Sequence, residues 1–303
     1  MEPEPTYGAL QGWSGDPFPE RSNGADTAGS SRRRRRTMAV LAVLIGLVLL
    51  VAGAGAGVLV SQSSPSNSTS TANTVLDESV AAAKQADSFE YVAITQGGSS
   101  SQSTVGTAQR SSGLQDITVD NPAYGTEKFS LVLVDGVVYF RGNAAALEDQ
   151  LGVPSTSNPQ GYANQWIAIR SSDSPYAALE AGITTDSNLS QVLITPHSAT
   201  QVTGANGNHI WRLTGALPSE GGGGSGGTAQ LDVAGESKLP LSYSSTQNSG
   251  GEQLKSNFTF AHWGKKVTVS APDGSIAFSS LGVPSGNGSP PSSETGPTPT
   301  FST

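Results

Sequence analysis

The side chains best suited to catalysis or metal binding are few and scattered. Histidine occurs three times, at His197, His209 and His262, never in an H-x-x-x-H spacing, and the chain contains no cysteine. No zinc set of the usual N/S type can therefore be assembled from sequence neighbours. The missing cysteine also excludes a disulfide framework, a cysteine nucleophile and the lipidated cysteine that anchors a bacterial lipoprotein. Serine is abundant, yet the G-x-S-x-G spacing occurs only inside the glycine run Gly221 to Gly227, and Ser14 in GWSGD lies in the N-terminal tail. Gly221 to Gly227, reading GGGGSGG, lacks the lysine and hydroxyl that complete a phosphate loop and reads as a linker. Glu148 and Asp149 read as neighbours on a helix face, not as an inward pair. Asn67, Asn188, Asn257 and Asn287 each open an N-x-[ST] sequon, but in a Ser/Thr-rich chain without cysteines these read as chance matches. The residues imply no enzyme, no cofactor and no metal.

The elements that would carry any binding site begin with an apolar run. Met38 to Val60 is 23 residues without a charge, long enough at about 1.5 Å per residue to cross a hydrocarbon core of roughly 30 Å. Arg32 to Arg36 stand directly before it, and the first charge after it is Asp77. The positive-inside rule then leaves residues 1–37 in the cytoplasm and everything after residue 60 outside. Ala54-Gly55-Ala56 offers the alternative of a cleaved signal, but a 37-residue tail carrying five acids is longer than a usual charged n-region. The expectation is a signal-anchor and a single-pass protein of the cell membrane. Gly53 and Gly57 also form a G-x-x-x-G, a cheap match in a Gly/Ala run.

Composition divides the rest. With 37 Gly, 18 Pro and hydrophobics at 35% of 303 residues, a good part of the chain is not core. Residues 1–37 and 284–303 have almost nothing to bury and read as disordered tails, and 61–73 as a polar tether. One ectodomain remains over 74–283, within the usual size of a domain. Residues 61–303 carry a net charge of −9 against −8 for the whole chain, which argues against nucleic acid and against attraction to anionic headgroups.

Within the ectodomain, Thr74 and Asp77 resemble a capping box, and Val75, Leu76, Val80, Ala83 and Ala86 recur at helical spacing. The period then falls to two in EYVAITQ, STVGTAQ, LQDITVD, EKFSLVLVD and VVYFR. Asp135-Gly136 joins Lys128–Val134 to Val137–Arg141 as a two-residue hairpin. NAAALEDQL capped by Asn143, SPYAALEAG opened by Pro175, and DSNLSQVLI capped by Asp186 predict helices. HIWRLTGAL, TAQLDV, LPLSYSS, EQLKSNFTFAHW and KKVTVSA predict a return to strands. The expected class is α+β with one large antiparallel sheet.

The hairpin register places Phe129, Leu131, Leu133, Val138 and Phe140 on one wholly apolar face. Alternation in the later strands adds Trp211, Leu213, Leu231, Leu241, Tyr243, Phe258 and Phe260. This face is either ordinary core beneath the helices or the wall of a cavity for acyl chains. Periodicity does not separate the two, since both bury the same face and only cavity volume distinguishes them.

In order along the chain, SVAAAKQADSFEYV, LVLVDGVVYF, QWIAI, SPYAALEAG with DSNLSQVLI, QVTGANGNHIWRLTG, LPLSYSS and SNFTFAHWGKKVTVSAP resemble the actinobacterial LppX/LprG-type lipoproteins of the LolA/LolB-like superfamily. The resemblance spans Val75 to Pro272. It implies a curved antiparallel half-barrel covered by helices, whose cavity binds lipid or lipidated molecules and moves them through the cell envelope. It carries no catalytic residues, so the implied ligand-binding set is the apolar face: Leu131, Leu133, Val138, Phe140, Trp211, Leu213, Leu231, Leu241, Tyr243, Phe258 and Phe260. Such proteins usually carry a lipobox cysteine. Here Met38–Val60 must anchor the domain, which favours a tethered binder over a shuttle. A structural or sensory ectodomain that engages another envelope protein is the alternative.

Overall fold

The computed structural model describes residues 67–122, 125–204, 207–218, 226–249 and 252–283. The apolar run Met38–Val60 and both expected tails lie outside the described residues, and no helix among those described is long and apolar enough to cross a membrane.

The chain opens with α1 (Asn67–Gln85), which begins inside the segment expected as a tether. The correction has a physical cause. Ala72, Val75, Ser79 and Ala83 are buried at helical spacing, so the polar run continues a stripe that packs on the sheet, chiefly against β7 (Thr195–Thr203). Thr74 is consequently mid-helix and not a cap. Its hydroxyl donates to the Ser70 carbonyl at 3.1 Å.

Five strands follow as a meander: β1 (Ser88–Gly97), β2 (Ser100–Gln109), β3 (Gly113–Asn121), β4 (Gly125–Val134) and β5 (Val137–Gly142). The β4–β5 hairpin has the expected register, with Val134 opposite Val137 and Leu131 opposite Phe140. Asp135 and Gly136 have φ of 52° and 71°, the doubly left-handed turn that matches strand twist. Then come α2 (Ala144–Gln150), capped by Asn143, α3 (Pro159–Tyr162), β6 (Ile167–Ile169), α4 (Tyr176–Glu180) and α5 (Thr185–Leu189). Pro175 is the N-cap of α4, not its first helical residue. The cap of α5 is Thr184 and not Asp186, because Thr184 and Ser187 satisfy each other's backbone N–H groups in a capping box.

A second meander comprises β7, β8 (His209–Ala216), β9 (Gly227–Ala234), β10 (Pro240–Ser249) and β11 (Glu252–Ala261). Pairing of β1 with β11 fuses the two meanders into one open twelve-stranded sheet. Its order is β12-β6-β5-β4-β3-β2-β1-β11-β10-β9-β8-β7, antiparallel except where β12 (Ile276–Ala277) meets β6. The expected strand over KKVTVSA does not form. From Lys265 onward the chain runs as a strap whose carbonyls are met by side chains: Ser88 donates to Lys265 and Gln109 to Val267.

Strand registers align one row of positions across the sheet face: Phe129, Ile117, Thr104, Ala93, Phe258, Tyr243, Leu231, Leu213 and Ala199, from β4 through β3, β2, β1, β11, β10, β9 and β8 to β7. The row is small at Thr104 and Ala93 in the middle, with Phe129 and Ile117 on one side and Phe258, Tyr243, Leu231 and Leu213 on the other. Two apolar clusters result, one of β3–β6 with α2, α4 and the final 3-10 turn, the other of α1 with β1 and β8–β11.

Candidate functional site

Between the two clusters lies a central cavity of about 90 Å³. Its floor is made by the small or polar members of the middle strands, Ala93, Thr104 and Gln115 among them. Ile117, Phe129, Leu131 and Phe258 border it, and Leu179, Gly182 and Asn188 cover it. Tyr91 crosses this floor because its partner in β2 is Gly106. A Cβ at 106 would lie 2.8 Å from the Tyr91 ring, far inside contact distance, so the glycine makes room for the ring. The Gly182 carbonyl gathers the polar groups: Gln115 and Asn188 donate to it at 2.5 Å, and Gln115 also donates to Tyr91 Oη. Burial pushes the Tyr91 phenol upward, against the opposing effect of its bonds to Asn188 and Gln115. The space accommodates a few waters and is too small for an acyl chain.

A larger cavity, of about 570 Å³, opens beneath α1. Leu76, Val80 and Ala83 of α1 form one wall, Leu189 and Val192 from α5 and its exit a second, and Leu231 and Pro240 of the sheet a third; Ser79, Lys84, Arg110, Thr185, Asp186 and Ser190 are its polar members. α1 rests on the stripe Ala72, Val75, Ser79 and Ala83, with Leu76 packed at the edge of the second cluster, and the cavity opens beside that stripe, at Val80. Val80 remains 43% exposed. Ser79, only 1% exposed, also lines this cavity, and its Oγ has no hydrogen-bond partner. Arg110 pairs with Asp87.

A third polar feature is a buried carboxyl on the apolar side of the sheet. Glu127 alternates with Phe129 and Leu131 on the apolar side of β4 and is 3% exposed. Gln150 donates to its Oε2 at 2.8 Å, and Asp149 shares a hydrogen bond with it. Burial, reinforced by Asp149, pushes the Glu127 carboxyl up to about 7, against the Gln150 bond that lowers it; burial likewise raises Asp149. Asp149 itself is exposed on the helix face beside Glu148, as read from the sequence; only Glu127 is buried. The signal was present in the alternation of β4, where Glu127 falls in phase with Phe129.

The structure distributes the apolar residues singled out from the sequence. Leu131 and Phe258 border the central cavity and Leu231 the one beneath α1. Leu133, Val138 and Phe140 belong to the first cluster, and Leu213, Tyr243 and Phe260 to the second, with Trp211 half-buried against it. Leu241 is half-buried and belongs to neither, because the β9–β10 register shifts between Pro240 and Ser242 and takes it out of the alternation. Most of the larger cavity comes from α1 and α5, whose apolar residues had been read only as helix stripes. No group of three or more His, Asp or Glu able to hold a metal occurs among the described residues.

No family profile and no curated protein matches the chain. Among solved structures it is similar to the lipoprotein LppX of Mycobacterium tuberculosis, at 12% identity and a TM-score of 0.40, covering 66% of this chain and 99% of that one. It is similar also to MucB, at 17% identity and a TM-score of 0.31, covering 67% and 64%. A LolA-superfamily protein of Nitrosomonas europaea gives 8% identity and a TM-score of 0.24 over 65% and 94%. MucB is also known in complex with MucA.

Proposed function

We propose that the chain is a non-enzymatic, membrane-tethered protein of the cell envelope whose extracytoplasmic domain binds lipid or another hydrophobic ligand. The observation that carries this reading is the cavity of about 570 Å³ beneath α1. Its size falls in the range of roughly 300–1,000 Å³ that holds a small ligand, and its walls are mainly aliphatic with a few polar groups at the side. The anchor in this reading is Met38–Val60, with Arg32–Arg36 holding the N-terminus in the cytoplasm. The motif resemblance to LppX/LprG-type proteins favours the same class of ligand.

Native mass spectrometry of the full chain released from membranes tests the binding. The expected spectrum contains a lipid adduct that Val80→Trp, which places bulk at the half-exposed wall, depletes several-fold. A clean apo mass for both proteins overturns the assignment in favour of a domain that engages another envelope protein. A reporter fused after Thr303 is expected to be active only outside the cytoplasm, and activity inside refutes the topology.

A further inference from the structure

We infer that the central cavity and the cavity beneath α1 are two compartments of one ligand site, and that the segment 184–192, which carries α5, is a partition that swings out to join them when a long apolar chain enters. The inference rests on the apolar-ligand reading above and adds the extent of the site.

α5 stands between the two spaces. Asn188 and Gln191 line the central cavity, whereas Thr185, Leu189 and Val192 line the one beneath α1. Its buried side chains, Thr185 and Asn188, are polar, and its apolar ones, Leu189 and Val192, are only partly buried against the second cluster. The firm points lie just outside the segment. Ile183 is buried in the first cluster and Ile194 in the second, and the Tyr243 hydroxyl donates to the Leu193 carbonyl at 2.9 Å. A short span with few apolar contacts, held at both ends, is the kind of element that opens locally at least cost.

The hydrogen bonds let the segment leave without stranding a buried polar group. The capping box of Thr184 and Ser187 is internal to it, as are the bonds from Asn188 to the Thr184 carbonyl at 3.0 Å and from Ser190 to the Ser187 carbonyl at 2.7 Å. These travel with α5. Asn188 also donates to the Gly182 carbonyl, but that carbonyl keeps its bond from Gln115, which holds Tyr91 Oη as well. The Thr185 hydroxyl releases the Asp87 carbonyl at a residue open to water. The penalty for an unpaired buried donor or acceptor, the main obstacle to such a motion, is thereby avoided. What α5 uncovers suits a chain: Ile117, Phe129, Leu131 and Phe258 border the central cavity, and Ala93 and Thr104 in its floor are too small to fill it.

The absence of cysteine lets introduced thiols carry spin labels without background. In the full chain in lipid-free amphipol, Asp186→Cys on α5 is paired with Lys255→Cys on β11, both exposed positions, and the distance is read by double electron–electron resonance. Asp77→Cys with Lys255→Cys reports on α1 in the same way. Tetracosanoate is expected to add a longer distance to the α5 pair and decanoate to leave it as it is, with the α1 pair unchanged by either. In competition with cis-parinarate, Ala93→Leu, which adds bulk to the central floor, is expected to weaken tetracosanoate several-fold, each buried methylene counting, and to leave decanoate unchanged. An unmoved α5 with tetracosanoate bound, an equal shift with both acids, a shift of the α1 pair, or tetracosanoate binding indifferent to Ala93→Leu overturns the inference while leaving an apolar site beneath α1 standing. Failure of both acids and of cis-parinarate to bind the unmodified protein overturns the apolar-ligand reading as well.

Discussion

Replacing Glu127 by glutamine should stabilise the protein at alkaline pH and do nothing in acid. The carboxyl is buried on the apolar face of β4, hydrogen-bonded by Gln150 and Asp149, and held up to about 7 against an ordinary value of 4.5. Below pH 4.5 the group is protonated in both folded and unfolded chains and contributes no pH dependence. Between pH 4.5 and 7 the unfolded chain releases the proton and the folded chain keeps it, so stability falls as pH rises. Above pH 7 the penalty is complete. At about 1.4 kcal/mol per pH unit it amounts to roughly 3 kcal/mol. Glutamine preserves both contacts, since its amide nitrogen can donate to the Asp149 carboxylate and its oxygen can accept from Gln150. Glu127→Gln should therefore gain roughly 2–3 kcal/mol at pH 8.5, a rise in Tm of roughly 5–10 °C for a domain of this size. At pH 4 the two proteins should melt together. Thermal melts of the full chain followed by near-UV circular dichroism at both pH values provide the assay. A Tm difference that is the same at pH 4 and pH 8.5, or a variant less stable than the parent at pH 8.5, refutes the buried protonated carboxyl.

Two further expectations concern packing. Leu133 and Leu131 both lie in the first cluster, but Leu131 also borders the central cavity. In urea unfolding, Leu133→Ala should fall in the upper part of the roughly 2–5 kcal/mol range for such truncations and Leu131→Ala near its lower end; the reverse order would contradict the placement of the cavity. Gly106→Ala should cost roughly 1–3 kcal/mol by overpacking against the Tyr91 ring. Tyr91→Leu should recover part of that loss in the double variant, and strict additivity of the two would show that the ring and the glycine do not share the space.

Much of the sheet follows from local rules. The period of two between Glu90 and Arg141 sets the strands and their inward faces, and Asp135-Gly136, with both residues at positive φ, fixes one register without help from the rest of the molecule. Asn143 caps α2 through a bond to the residue three positions on, an interaction wholly contained in one short segment. The −9 charge of residues 61–303 and the absence of cysteine are likewise properties of composition. Local rules fail where a distant surface competes. The polar run before Thr74 joins α1 because Ala72 and Val75 meet the sheet, and KKVTVSA remains a strap because no strand edge lies beside it.

The sequence by itself determined which side chains face inward; the tertiary structure alone decided where those faces meet closely and where they do not. Inward positions are set by the backbone period, a quantity of a few neighbouring residues. A cavity is a difference between the volume enclosed by several elements and the volume their side chains fill, and that sum involves α1, α5 and the β9–β10 pair, which are far apart in the chain. Hence Leu133 and Phe140, chosen as pocket wall by their periodicity, belong to a packed cluster. The larger space opens at Val80, beside the stripe on which α1 rests.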